Sequence, residues 1–559
     1  MHKNAVTLAR FLVILLCFFE KTIGKEKSLV LLVSFDGFRH SLLNETTVPN
    51  IYKWAKGGTW FVNGTKSQYV TYTAPNHMSI ATGLYEESHG IVSNFFFDHK
   101  DDTVFDYFNY TGRKSEMELS SRWYLGDPIW LTNDRNGGRS AVMDWPMVEA
   151  NYSHPPHKPH WFRAWSSDGD LPSWKESVNR LLEQFIDQKT PVNLGMLYLS
   201  QPDTVLHLHG FYDGEFEKIM KTLDEAFGYL VESTKALNLS DKLNIILTAD
   251  HGHAQIKDYK SLFCIRDYVL GGGFEMGDHM IYPLDEAHGQ QVFENLTRAI
   301  NDGFEMEVIW KKDIPINWHY ANSTRVGQII LNPKIGSGLS FSCRQKDLEK
   351  LYGPVGKEKY HQSTHGMDPN TPEMRALLAM NGPAFKQRTM ISQIPNNIDL
   401  YPFLCHLLNV PPSPNNGSIS LLKDALQSET YSDEDQTKQP PKSFDQNHHS
   451  TFYWLFTDSL GFLVFLVPSI CIVVLIFGMM WKNMILKNDP NWARPERIRG
   501  YRPLNLENDD DNDEESQIGV SFSRRDDPTG EGHVNLTTKK TKKKKGGLLE
   551  AVDTSDEDI

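Results

Sequence analysis

The chain predicts an α/β fold, a mainly parallel central sheet with helices on both faces, and three segments carry that prediction. Residues 28–35 (SLVLLVSF), residues 193–200 (NLGMLYLS) and Leu243–Thr248 (LNIILT) are continuous apolar runs. Runs of this length suit strands buried on both faces, as in a parallel sheet covered by helices. Each run breaks into an aspartate: Asp36, then Asp203 after Gln201-Pro202, then Asp250 after Ala249. Ligands of open parallel sheets sit just beyond the carboxyl ends of the strands. The three aspartates are therefore expected around one crevice.

The elements follow in chain order. Lys3 and Arg10, an apolar run at 11–19 (FLVILLCFF) and Thr22-Ile23-Gly24 read as a signal peptide over 1–24, because the run is too short to span a bilayer. A catalytic domain is expected over 25–410. After the first strand, Pro75 two residues beyond Thr73 marks a helix start. Residues 173–188 read as a helix with Leu181, Leu182, Phe185 and Ile186 on one face. Residues 216–236 read as another, with Ile219, Met220, Leu223, Phe227, Leu230 and Val231 at helical spacing. Both apolar stripes are expected to cover the sheet. Residues 255–360 are less regular and read as an insert or cap edge.

Beyond the catalytic domain, residues 411–458 are rich in Pro, Ser, Asn, Asp and Gln and read as a stalk. Residues 459–481 hold no charge between Asp458 and Lys482, long enough for one transmembrane helix. Lys482, Lys487, Arg494, Arg497, Arg499 and Arg502 follow, which places the C-terminal side in the cytoplasm. The tail, 482–559, carries an acidic block at 509–515 and a basic one at 539–545 and reads as disordered. The expectation is a single-pass type I membrane protein with its catalytic domain outside the cell. Asn44, Asn63, Asn109, Asn151, Asn238, Asn295, Asn322 and Asn416 are glycosylation sequons between the two apolar segments, which agrees. Of the five cysteines, Cys17 falls in the signal and Cys471 in the span. Cys264, Cys343 and Cys405 remain, enough for one intrachain disulfide and a spare thiol. A net charge of −14 gives no reason to expect a polynucleotide partner.

Asp36, Thr73, Asp203, His207, Asp250, His251 and His365 together read as a two-metal site. Any one strand-end aspartate is an ordinary turn or capping residue; the set is not. Asp250-His251 puts an oxygen and an imidazole ligand side by side, and Asp203 and His207 stand four apart. Carboxylate with imidazole suits zinc. Two metals about 3.5–4 Å apart are a common apparatus for displacement at phosphorus.

Five stretches then resemble a known family: SFDGFR (34–39), TAPNHMSIATGLYEESHGIVSN (73–94), PDTVLH (202–207), TADHGH (248–253) and STHGMDPNTPEMRALLAMNGPAF (363–385). Over about residues 28–410 the chain is similar to the ectonucleotide pyrophosphatase/phosphodiesterases, of the short, membrane-anchored type, within the alkaline phosphatase superfamily. The resemblance implies an alkaline-phosphatase-like fold and two zinc ions (Zn2+). Asp36, Thr73, Asp250 and His251 would hold one; Asp203, His207 and His365 would hold the other. It makes Thr73 the nucleophile and has Asn94 bind phosphoryl oxygens. It also implies a substrate-binding aromatic at Trp165, with Trp161 the alternative. Ala74 stands where nucleotide-cleaving relatives carry an aromatic, and Leu125 where some triphosphate-cleaving relatives carry a lysine.

The function expected is zinc-dependent hydrolysis of nucleotide phosphodiester or pyrophosphate bonds through a phospho-threonine, releasing a nucleoside monophosphate. Two alternatives are a choline-phosphodiester or lysophospholipid phosphodiesterase, and a weakly active surface interaction or adhesion protein that keeps the fold. A panel of nucleotide and choline esters separates the two enzymes. The intact set of ligands and nucleophile argues against the third.

Overall fold

A computed structural model of the chain describes residues 28–427, except 109–118, 153–155, 166–167, 259–260, 270–272 and 341–361. The expected signal peptide, most of the stalk, the 459–481 span and the tail lie outside the described residues. Among the described residues no helix is long and apolar enough to cross a membrane.

The central sheet has eight strands: β1 (Leu29–Phe35), β2 (Thr59–Phe61), β3 (Ser140–Met143), β4 (Trp161–Arg163), β5 (Leu194–Leu199), β6 (Leu243–Thr248), β7 (Leu378–Asn381) and β8 (Thr389–Ile391). Their spatial order is β8-β2-β7-β6-β1-β5-β3-β4. The three apolar runs lie side by side: β1 pairs in parallel with β5, Phe35 opposite Leu199, and with β6, Ser34 opposite Thr248. β3 and β4 continue the parallel set, and β7 enters antiparallel between β6 and β2.

Alternation persists inside the apolar runs, because the two faces feed different cores. Val30, Leu32, Met196, Ile246 and Met380 face one cluster. Leu31, Val33, Phe35, Leu197, Leu247 and Ala379 face the other. Full burial of such side chains stabilises by about 1.5–3 kcal/mol each, so a one-residue slip of register would swap both cores at once.

On the second face lie α1 (Pro49–Gly57), α3 (Leu171–Ile186) and α5 (Glu215–Ala236); on the first lie α2 (Thr73–Thr82) and α7 (Leu400–Leu408). Between them in sequence come α4 (Asp203–His209) and α6 (Glu286–Asn301). α3 starts two residues before its predicted position because Asp170 caps it, accepting the Ser173 N–H, with proline inside the first turn. It stops at Ile186, which is 37 % exposed and not on the core face with Leu181, Leu182 and Phe185. α5 matches its predicted stripe, with Met220, Leu223, Phe227 and Leu230 buried.

The described part of the segment read as less regular has regular structure of its own. It holds a four-stranded antiparallel sheet in the order Phe274–Met276, Met280–Pro283, Ile329–Pro333, Met306–Trp310. α6 packs on it through Val292, Leu296 and Ala299. Strands of three to five residues carry too few alternations for their period to show in sequence. Cys264 is disulfide-bonded and Cys405 is the buried free thiol, which resolves the cysteine alternatives for these two.

His89, after the turn that follows α2, illustrates the cost of this packing. Its Nδ1 accepts the Ile91 N–H at 3.1 Å, so Nε2 donates to Ser79 Oγ, also at 3.1 Å. Burial lowers its pKa from 6.5 to about 3. Between those values the unfolded chain binds a proton that the folded chain refuses, so stability is lost as pH falls below 6.5. Urea denaturation should show the stability difference between wild type and His89→Gln shrinking by about 1.4 kcal/mol per pH unit below that point. A constant difference between pH 7.5 and pH 5 would contradict it.

Candidate active site

The ends of β1, β5 and β6 are tied to one another by hydrogen bonds. The Asp36 N–H donates to Leu199 C=O at 2.9 Å, and the Asp203 N–H to Asp36 C=O at 3.1 Å. The Gly37 N–H donates to Asp250 Oδ1 at 3.1 Å. Gly37 has φ +68°, and a Cβ there would sit 3.0 Å from Asp203 Cβ and 2.9 Å from the His253 ring. Glycine is thus required both by backbone and by space.

α2 delivers Thr73 as its first residue, and every residue of the helix is buried. His77, one turn on, pins it to β1: Nδ1 lies 2.9 Å from Thr73 C=O and Nε2 3.0 Å from Ser34 Oγ. Two donor sets form beside Thr73. Asp36, Asp250 and His251 offer ligand atoms within 4.8 Å of one another, as do Asp203, His251, His253 and His365. Thr73 Oγ1 is 3.4 Å from His251 Nε2, which is 3.0 Å from Asp250 Oδ2 and 3.6 Å from Asp36 Oδ1. His207 Nε2 lies 2.9 Å from His365 Nε2 and 3.5 Å from Asp203 Oδ1. The sequence-predicted ligands and nucleophile therefore converge.

Several features suit cations. Asp36 Oδ1 and Asp250 Oδ2 are buried without a hydrogen-bond partner. His365 Nδ1 faces Thr71 C=O at 2.7 Å and His251 Nδ1 faces Gly252 C=O at 3.1 Å. A carbonyl at Nδ1 keeps the proton there and leaves the Nε2 lone pair for a metal. Burial raises the Asp36 carboxyl well above its ordinary pKa, with the charges of Asp250 and Asp203 adding to it. For Asp203 burial acts in the same sense, but His207, His253 and His365 outweigh it and hold the group well below. Crowded carboxylates and inward-facing imidazoles are the donor set expected of zinc.

Three supporting residues escaped the sequence reading. His253 Nε2 is 2.5 Å from Asp203 Oδ1 and its Nδ1 is 3.0 Å from Ser363 Oγ. The Tyr198 hydroxyl donates to Asp36 Oδ2 at 2.6 Å. His77 is the third, and its Nδ1 also lies 3.4 Å from Asp250 Oδ2. The signals were present: a second histidine in DHGH, a tyrosine within an apolar strand, and a histidine four after Thr73.

Asn94 is buried beside the nucleophile, and its Oδ1 accepts the Ala74 N–H at 2.9 Å. Trp165 is half-buried and packs against the core cluster that contains Ala74 and Met78. Trp161 lies in β4 and packs on the opposite core, while Leu125 is exposed.

With this architecture, residues 30–368 match the type I phosphodiesterase / nucleotide pyrophosphatase family, and the chain belongs to that family. It is 32% identical over 404 residues to bis(5'-adenosyl)-triphosphatase enpp4 of Mus musculus, covering 71% of this chain and 81% of that one. It is 32% identical over 405 residues to ectonucleotide pyrophosphatase/phosphodiesterase family member 5 of Homo sapiens, covering 71% and 78%. The solved structure of murine ectonucleotide pyrophosphatase/phosphodiesterase 5 superposes with a TM-score of 0.62 at 29% identity, over 71% of this chain and 100% of that one. An inactive form of the murine protein in complex with AMP gives the same TM-score at 28% identity, over 72% and 100%.

Proposed function

We propose that the chain is a zinc-dependent extracellular hydrolase of nucleotide phosphodiester and pyrophosphate bonds that works through Thr73. The observation that carries this is the Thr73 hydroxyl, 3.4 Å from His251 Nε2 at the head of a buried helix, beside both donor sets. Thr73 Oγ attacks phosphorus, the bond to the leaving oxygen breaks, and a phospho-threonine forms. Water then cleaves that ester, returning the hydroxyl and releasing the nucleoside monophosphate. Asp36, Thr73, Asp250 and His251 hold one zinc, and Asp203, His207 and His365 the other. Bound zinc supplies a lowered hydroxyl pKa and neutralising charge. Tyr198 orients Asp36, and His253 orients Asp203. The Asn94 amide, fixed through its oxygen, donates from Nδ2 where charge accumulates on phosphoryl oxygens, worth about 3–4 kcal/mol by comparison with other preorganised donors.

Two relatives favour a nucleotide substrate: one is named a bis(5'-adenosyl)-triphosphatase, and another is solved with AMP. Trp165 is the remaining aromatic wall for a base, since Ala74 offers none; one stacked ring contributes about 1–3 kcal/mol. The signal peptide, stalk, single span, tail and sequons read from the sequence support an extracellular site on a glycosylated ectodomain. The test is hydrolysis of a dinucleoside triphosphate, a nucleotide p-nitrophenyl ester and a choline phosphodiester by the full chain in detergent. Release of nucleoside monophosphate is expected. Turnover of the choline ester alone would make Ala74 the mark of a choline enzyme, and silence on all three would favour the surface-interaction reading.

A further inference from the structure

Asn94 is braced from outside the central sheet. Its Oδ1 is occupied by the Ala74 N–H, which leaves Nδ2 as the amide's donor for a ligand. On either side, Ser93 and Phe95 are held by one carboxylate oxygen. Asp278 Oδ2 accepts the Ser93 hydroxyl at 2.7 Å and the Phe95 N–H at 2.7 Å. The Asp278 N–H returns to Phe95 C=O at 3.1 Å. Asp278 stands 185 residues from Ser93, in the turn between strands Phe274–Met276 and Met280–Pro283 of the antiparallel sheet. The next residue in that turn, His279, packs edge-on against Tyr72 with ring centroids 5.4 Å apart. Tyr72 precedes Thr73. A single turn thus braces the neighbours of both the nucleophile and the phosphoryl-oxygen donor.

We propose that Asp278 is a positioning residue that sets the Asn94 amide against the phosphoryl oxygens, which makes the antiparallel sheet part of the catalytic apparatus. The inference rests on the role given to Asn94 above. A donor that acts in the transition state must be placed closely, since a displacement near 1 Å costs about 100-fold in rate. Loss of the Asp278 oxygen frees both flanks of Asn94 and leaves the Phe95 N–H without its acceptor.

The test is a double-mutant cycle in the full chain, with the p-nitrophenyl ester of thymidine 5'-monophosphate as substrate. Asn94→Ala should lower kcat by about 100- to 1000-fold. Asp278→Ala should lower kcat by about 10- to 100-fold with KM little changed. Asp278→Asn, which keeps an acceptor oxygen, should recover to within about tenfold of wild type. In the Asn94→Ala background, Asp278→Ala should change kcat by no more than about twofold. If Asp278→Ala fails to fold, Ser93→Ala replaces it in the cycle: removing one of the two bonds should give a smaller kcat loss that also vanishes in the Asn94→Ala background. Losses that multiply in the double variant, or a normal kcat in folded Asp278→Ala beside a crippled Asn94→Ala, would overturn the positioning role alone. A normal kcat in Asn94→Ala would overturn the role of Asn94 and the inference with it.

Discussion

Thr73→Ala is expected to lower kcat by at least about a thousandfold, the scale of a lost nucleophile, while the protein folds and takes up zinc. The structural half of this expectation follows from what the side chain touches. Thr73 Oγ1 has one described partner, His251 Nε2 at 3.4 Å. The contacts that hold the helix use other atoms: His77 bonds the Thr73 carbonyl, and Asn76 Oδ1 accepts the Gln68 N–H at 2.8 Å. Alanine also suits a helix better than threonine does. Six candidate metal ligands remain in the variant. Kinetics, metal analysis and a thermal midpoint measured on one preparation would check all three points. Turnover within tenfold of wild type would remove Thr73 from the mechanism.

Removal of metal should be as damaging and, unlike the substitution, reversible. Chelation is expected to lower activity by about a thousandfold or more, since the charge stabilisation supplied by bound metal amounts to several kcal/mol. Zinc should restore it. Stability should fall too, because ligand bound only to the folded state stabilises it by about 2.7 kcal/mol at a hundred times its dissociation constant. Asp36 and Asp250 each keep a buried oxygen without a hydrogen-bond partner, which bound metal would satisfy and the stripped site would not. Asp203→Ala should bind one zinc per chain where wild type should bind two, as read by metal analysis after gel filtration. Full activity in the presence of chelator, or two zincs retained by Asp203→Ala, would contradict the ligand assignment.

The legible parts of this protein are those where a single physical constraint acts along the chain. β1, β5 and β6 are buried on both faces, so their sequences are mostly apolar and end abruptly where the site begins. α5 runs for 22 residues, long enough for its stripe to repeat several times. β2, β7 and β8 have three or four residues each, and their place in the sheet depends on partners far away in sequence. No local pattern announces such strands. The site shows the same division. Candidate ligands stood out by chemical type, while Tyr198, His77 and Asp278 act through one hydrogen bond or two to a distant segment. Their residue types look ordinary until the fold supplies the partner.

The strand order also governs when this protein can become an enzyme during its synthesis. β2 leaves the ribosome early, but its two neighbours, β7 and β8, come from residues 378–391. His365 meets the Thr71 carbonyl across 294 residues of chain. At about 5–20 residues per second, that interval lasts roughly 15–60 s. Throughout it β2 lacks both of its partners and the second donor set lacks a histidine. Nascent chains should therefore stay protease-sensitive and metal-poor until nearly the whole catalytic domain has emerged. A premature stop before residue 365 leaves a chain that no later event can repair.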